Sequence, residues 1–292
     1  MPSTRDIRRR IRSVKSTAQI TKAMQMVASS KMRRAQEAAI AGRPYAVLLN
    51  RVLSEVSRHS GDFTHPLMEA RDVRRRAVLV VSTDKGLCGA LNSNLFREAL
   101  KFETESTVFI TAGRKASQFV ARTRRKLAAE FSYKDTPSFG EARALAKFAR
   151  ELFLKGEVDE VQVMFTSFVN TLTQRPNSFT LLPVTEMKIA VAKLREMMGN
   201  EAADQEPAEF LFEPGPEVVL GEMLPHYINF AIYQVLLEAK ASEHSARMVA
   251  MKNATDNAKQ LVKDLSLEYN KLRQSMITNE LLEISTAAMA LG

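Results

Sequence analysis

Met248-Val-Ala-Met251-Lys-Asn-Ala-Thr255-Asp-Asn-Ala258-Lys-Gln-Leu-Val262-Lys-Asp-Leu265-Ser-Leu-Glu-Tyr269-Asn-Lys-Leu272-Arg-Gln-Ser-Met276 is the stretch that decides the fold. Its apolar and small residues recur at strictly alternating three- and four-residue steps, the seam of a helix that another helix must cover. No Gly or Pro falls between His226 and Leu291. At ~1.5 Å per residue these positions predict a rod on the order of 100 Å long. Beyond Arg273 the chain carries no basic residue and turns small and apolar, Ile284-Ser-Thr-Ala-Ala-Met-Ala-Leu291, a tip that calls for apolar surroundings.

The opposite end of the chain supplies a matching seam. Ser3 followed by Asp6 resembles a capping box, and Ile7, Ile11, Val14, Ala18 and Thr21 then alternate four- and three-residue steps. After Pro2 the next helix breaker is Gly42; with Pro44 it predicts a kink before the pattern continues through Tyr45–Ser57. Two seams far apart in sequence are satisfied most simply by winding the terminal helices about each other, antiparallel.

Between the rods the pattern changes. Arg76–Val81 and Thr107–Thr111 are β-branched apolar runs, each followed by a loop and a helical pattern, which predicts a parallel sheet. Ser138–Lys155 reads as an amphipathic helix, Glu160–Phe168 and Ser178–Pro183 as strands, a hairpin at the sheet edge, and 193–209 as a mobile loop. The predicted fold class is α/β: a long antiparallel coiled coil of the N- and C-terminal helices with an inserted Rossmann-like α/β domain. In chain order this gives an N-terminal coiled-coil helix over 1–58, a central domain over 74–192, a variable loop over 193–215 and a C-terminal coiled-coil helix over 216–292.

Charge is distributed unevenly. The net charge is +9, yet residues 1–36 carry ten Lys or Arg against the single Asp6, and the remaining basic and acidic residues balance. Arg5, Arg8, Arg9, Arg10 and Arg12 lie in the first turns of a helix, where each cation opposes the helix dipole by ~0.3–1 kcal/mol. A gain from an acidic partner is preferred over a merely solvated face. Nucleic acid is a weak fit, because no aromatic residue interleaves the basic positions.

Catalytic signatures are absent: no phosphate-binding glycine loop, no paired-histidine metal motif and no nucleophile elbow. His59, His65, His226 and His244 lack metal-ligand spacing, and the single Cys88 excludes an intrachain disulfide. The strongest chemical candidate is Ser82-Thr-Asp-Lys-Gly-Leu-Cys-Gly-Ala-Leu-Asn92 at the end of the first strand. Asp84 and Lys85 there could form an acid–cation pair beside Gly86 and Gly89. The preferred alternative is that the glycines shape a turn while Asp84 or Asn92 caps a helix. Without a membrane-length apolar stretch or the apolar core of a secretory signal, a soluble bacterial protein of the cytoplasm is expected.

Three stretches together resemble the gamma subunit family of F-type ATP synthases: Ile20-Thr-Lys-Ala-Met-Gln-Met-Val-Ala-Ser-Ser-Lys31, Thr83-Asp-Lys-Gly-Leu-Cys-Gly-Ala-Leu-Asn92, and Glu243-His-Ser-Ala-Arg-Met-Val-Ala-Met-Lys-Asn-Ala-Thr-Asp-Asn-Ala258 with its continuation Tyr269-Asn-Lys-Leu-Arg-Gln-Ser-Met-Ile-Thr-Asn-Glu-Leu282. The resemblance implies a non-catalytic shaft seated in a ring of three alpha/beta pairs, with its foot on the epsilon subunit and the membrane c-ring, at the cytoplasmic face of the plasma membrane. It implies that Met24 faces the acidic lever of a beta subunit and that Arg273, Gln274 and Thr278 engage a beta loop. Neither catalytic residues, metal, cofactor nor small-molecule ligand are expected. The cysteine-pair switch of photosynthetic members is missing, since this chain has one cysteine. Two other readings stay open on the residues alone: a coiled-coil adaptor whose basic helix binds an acidic or nucleic-acid surface, and a small-molecule enzyme using Asp84 and Lys85.

Overall fold

A computed structural model describes residues 3–59, 65–184 and 213–291 of the chain. The loop expected at 193–209 lies outside them. The elements run α1 (Thr4–Ala41), α2 (Arg43–His59), β1 (Arg76–Val81), α3 (Leu91–Ala99), β2 (Thr107–Ala112), α4 (Arg114–Arg122), β3 (Lys126–Phe131), α5 (Phe139–Leu154), β4 (Glu160–Phe168), β5 (Gln174–Leu182) and α6 (Pro216–Leu291). The chain divides into two compact units, residues 1–28 with 247–292, and residues 29–246.

In the first unit Ser3 starts α1. Its hydroxyl donates to Asp6 Oδ2 at 2.8 Å and accepts the Asp6 amide at 3.2 Å, an amide that also reaches the Ser3 carbonyl at 3.0 Å, so the first turn is capped. The expected seams are the covered faces as far as Leu272: Ile7, Thr21 and Ala28 are buried on α1, and Met251, Thr255, Ala258 and Leu265 on α6, whereas Met276, the last residue of the expected seam, is exposed. Ile7 shares a groove with Leu265, while Thr21 meets Thr255. As the number rises on one helix it falls on the other, so the pair is antiparallel. This register puts Leu272 level with the start of α1, leaving α6 no more of α1 to pack on. Every side chain described beyond it is exposed.

The second unit is built on a five-stranded sheet of order β3-β2-β1-β4-β5. Strands β1 to β4 are parallel and β5 returns antiparallel to β4. Central β1 alternates its buried side chains between two cores. Ala77, Leu79 and Val81 join Leu53 of α2, Ala146 of α5 and Leu236 of α6, while Val78 and Val80 pack with Leu95 of α3 and Val120 of α4. Helices therefore cover both faces, the condition under which a parallel sheet is stable.

Helix α5 matches its predicted span because its ends are written locally. Ser138 accepts the Glu141 amide and Glu141 accepts the Ser138 amide, a complete capping box. The interruption expected at Gly42 falls there, between the end of α1 at Ala41 and the start of α2 at Arg43, while the Gly42 amide still donates to the Ala38 carbonyl at 3.3 Å and its carbonyl accepts the Ala46 amide at 3.1 Å. Strand β5 begins at Gln174, four residues before its expected start, and Pro176 is tolerated because β5 is an edge strand. Strand β3, the other edge, was not expected: Lys-Leu-Ala-Ala-Glu-Phe has no β-branched residue and no buried face. Pro225 sits inside α6, where a proline costs about 3 kcal/mol. Burial of Leu224, Tyr227 and Ile228 around it, at roughly 1.5–3 kcal/mol for each large apolar side chain, offsets that.

Candidate functional site

The four residues singled out by resemblance all lie in the first unit. Met24 is half-buried on α1, one turn beyond Thr21. Arg273, Gln274 and Thr278 are exposed on α6, where the Thr278 hydroxyl donates to the Gln274 backbone carbonyl at 2.9 Å. The register set by Thr21 and Thr255 places Met24 level with α6 residues near Lys252. Arg273 is therefore roughly 30 Å farther along the helix. The structure brings Gln274 and Thr278 together and keeps Met24 apart, so these residues lie at two separate levels of the helix pair.

All five N-terminal arginines are exposed. Arg9 reaches Asp6 Oδ1 at 3.2 Å, and Asp6 is held below its ordinary value, first by hydrogen bonds from the Ser3 side chain and amide, with the Arg9 charge adding to them. Asp6, Arg9, Arg10 and Glu268 help line an open groove of ≈ 500 Å³ over Ile7 and Leu265. Exposed ion pairs of this kind contribute little to stability, which leaves their cations available to an acidic surface.

At the end of β1, Asp84 Oδ1 accepts the Arg114 amide at 2.9 Å, capping α4 from outside. Asn92 Nδ2 donates to Thr83 Oγ1 at 2.8 Å and to Cys88 Sγ at 3.4 Å, closing the loop on itself. Leu87 and Gly89 both adopt positive φ. Asp84 thus has the capping role that sequence reasoning preferred for this segment. Gly113, next to it, is forced: with φ of 97° a side chain there would put Cβ 2.3 Å from the Ser82 carbonyl oxygen.

A polar cluster that sequence reasoning missed lies in the second unit. Lys240 of α6 has a side chain only 1% exposed; its Nζ stands 3.0 Å from Glu243 Oε2, 3.8 Å from Asp135 Oδ1 and 4.4 Å from the centre of the Tyr133 ring. Asp135, in the β3–α5 connection, also accepts a hydrogen bond from Lys31 of α1 and has His244 Nε2 at 3.8 Å. Burial alone would raise the Asp135 carboxyl, but the Lys31 hydrogen bond and the charges of Lys240, Lys31 and His244 hold it below its ordinary value. Burial, and then the charges of Glu243, Asp84 and Asp135, push the Tyr133 phenol well up, so its hydroxyl keeps its proton and donates it to Ser82 O at 2.9 Å. His244, one of the scattered histidines, belongs to this group. His65 Nδ1 instead accepts the Leu67 amide at 3.1 Å, and His226 is exposed.

Among the described residues no group of His, Cys, Asp or Glu could hold a metal, and no helix is long and apolar enough to cross a membrane. Residues 3–291 match the family model described as ATP synthase. The chain is 48% identical over 292 residues to a protein of Opitutus terrae named ATP synthase gamma chain, covering 99% of each. It is 46% identical over 294 residues to the protein of that name in Akkermansia muciniphila, covering 100% of each. In fold it is similar to a chain of the Euglena gracilis mitochondrial ATP synthase rotor, with TM-score 0.66 at 20% identity, covering 94% of this chain and 98% of that one. A second Euglena gracilis chain, from the OSCP/F1/c-ring assembly, gives TM-score 0.68 at 21% identity over 99% and 94% of the two chains.

Proposed function

The chain belongs to the ATP synthase gamma chain family, and from that premise we propose that it is the central rotor shaft of an F-type ATP synthase. It carries torque between a proton-driven membrane rotor and the alpha/beta ring. It is a non-catalytic subunit, and the chemistry of ATP synthesis and hydrolysis belongs to the ring. The observation that carries the reading is the solitary end of α6. Past Leu272 that helix presents Ile277, Leu281, Leu282, Ile284 and Met289 to solvent, a strip that an enclosing apolar sleeve would cover.

The finer reading follows the same premise. One copy serves three alpha/beta pairs, with 1–58 and 216–292 as the shaft, 74–192 and 193–215 as the foot toward epsilon and the c-ring, and the assembly docked peripherally on the cytoplasmic face of the plasma membrane. An asymmetric helix pair meets three equivalent catalytic subunits with three different surfaces and so biases each toward a different conformation. Met24 serves the contact with the acidic lever of beta, and Arg273, Gln274 and Thr278 the contact with a beta loop about 30 Å away. The exposed arginines of α1 guide acidic surfaces past without tight, desolvated pairing. The adaptor reading draws no support from the relatives.

Co-expression with the alpha and beta subunits of the same source tests the proposal. Recovery of an active ATPase containing one copy of this chain per three alpha/beta pairs is expected. A chain that elutes alone, its partners unassembled, would sink it.

A further inference from the structure

We propose that Asp135 is a positioning residue for torque transfer, a carboxylate that pins both long helices to the rim of the sheet; this rests on the shaft reading above. Its two oxygens serve different helices: Oδ2 accepts from Lys31 of α1, and Oδ1 faces Lys240 and His244 of α6. Lys240 is itself fixed from a third side by Glu243 at 3.0 Å and by the Tyr133 ring. Tyr133 then carries the connection into the sheet. Its hydroxyl donates to the Ser82 carbonyl at the end of β1; the Ser82 hydroxyl in turn accepts the Ala116 amide of α4 at 2.8 Å.

The placement makes sense as mechanics better than as stability. Burying a lysine and a glutamate together costs desolvation that their attraction often fails to exceed, so an apolar contact would stabilise as well. An apolar contact, however, is non-directional and lets helices slide or turn against their support. The charged hydrogen bond from Lys31 fixes direction as well as distance, and the approaches of Lys240 and His244, each at 3.8 Å, draw α6 toward the same carboxylate by charge. Other ties hold α6 to the hairpin of β4 and β5, where Glu238 accepts the Phe168 amide at 3.1 Å and Ser245 donates to the Thr171 carbonyl at 2.8 Å, but Asp135 is where α1 and α6 meet one carboxylate together, at the level of Lys31 and Lys240.

The test uses the complete membrane-bound complex in vesicles with three variants: Asp135→Asn, Asp135→Glu and Lys31→Gln. ATPase rate, ATP-driven proton pumping, and the thermal angular fluctuation of a bead on the shaft are measured together. Asp135→Asn and Lys31→Gln are expected to assemble and to hydrolyse ATP at the parent rate. Their angular variance should widen, and protons pumped per ATP should fall, by about twofold or more, the lower end of what coupling-network substitutions produce. Asp135→Glu should restore both. Parent variance and pumping in Asp135→Asn and Lys31→Gln would overturn the proposal, as would variance unchanged in Lys31→Gln alone should Asp135→Asn fail to assemble. Failure of the parent chain to join the ring would overturn the shaft reading and this proposal with it.

Discussion

The hydroxyl oxygens of Thr21 and Thr255 stand 2.7 Å apart inside the seam of the coiled coil. Thr255 Oγ1 also lies 2.8 Å from the Met251 carbonyl, and each hydroxyl has one proton. Two arrangements use each proton once: Thr255 donates to the Met251 carbonyl and Thr21 across the seam, or Thr21 donates to the Thr17 carbonyl and Thr255 across the seam. In Thr255→Val, Thr21 can turn its proton to the Thr17 carbonyl at 3.0 Å. In Thr21→Val, Thr255 keeps the Met251 carbonyl in the same way, so each single variant should lose about 1 kcal/mol or less. The double variant should lose less than the sum. Urea denaturation of the full chain measures all three; strictly additive losses would show that no proton is shared.

Gly113 and Gly42 should respond oppositely to a methyl group. At Gly113 the new Cβ would lie 2.3 Å from a backbone oxygen in a conformation that L-residues avoid, so Gly113→Ala should cost about 3 kcal/mol or more. At Gly42 the close atom is Gln234 Nε2 at 2.8 Å, the far end of a flexible side chain. Gly42→Ala should change stability by less than about 1 kcal/mol. Thermal melts of the two variants settle the contrast, and equal losses would refute it.

Asp159 ties the connection before β1 to the start of β4. Its Oδ2 accepts the amides of Arg74 at 3.0 Å and Arg75 at 2.8 Å. The Arg75 amide, first, holds the carboxyl below its ordinary 3.8 against slight burial, aided by the Arg74 amide and the charges of Arg75 and Arg71. A carboxyl lowered on folding binds its proton more readily in the unfolded chain. Its contribution is therefore complete above pH 3.8 and is lost as pH falls through the lower folded value. Asp159→Asn should flatten the fall of melting temperature in that acid range while other carboxylates still respond; an unchanged slope would count against the assignment.

Met24→Lys should impair coupling with little effect on assembly. The side chain is half-buried, a position from which a lysine stem can reach outward and place an added cation toward the acidic lever proposed to face it. Proton pumping driven by ATP in vesicles is the readout. Pumping equal to the parent's would remove Met24 from the contact.

The coiled coil was readable because Ile7, Thr21, Thr255 and Leu265 obey a local spacing whose simplest satisfaction is one helix wound on the other. Strands β1 and β2 were readable for a similar reason, their runs being apolar on both faces. Edge strand β3 was not, because Leu127-Ala-Ala-Glu130 owes its conformation to pairing with β2 and not to its own side chains. The Asp135 cluster was invisible for another reason. Lys31, Asp135 and Lys240 are each about a hundred residues from the next, and nothing in a lysine's neighbours announces that its amine will be buried. Arg273, Gln274 and Thr278 look like ordinary surface groups by spacing, and only family likeness singled them out.

The end of the seam at Leu272 bears on how the protein is handled before it has work to do. A freshly made copy exposes a helical strip of Ile277, Leu281, Ile284 and Met289 that no other described residue covers. Such a strip is an aggregation hazard whenever supply of this chain outruns supply of its cover. Balanced synthesis with its partners is thus a requirement built into the helix itself, and an overproduced chain should turn up in the pellet or on a chaperone.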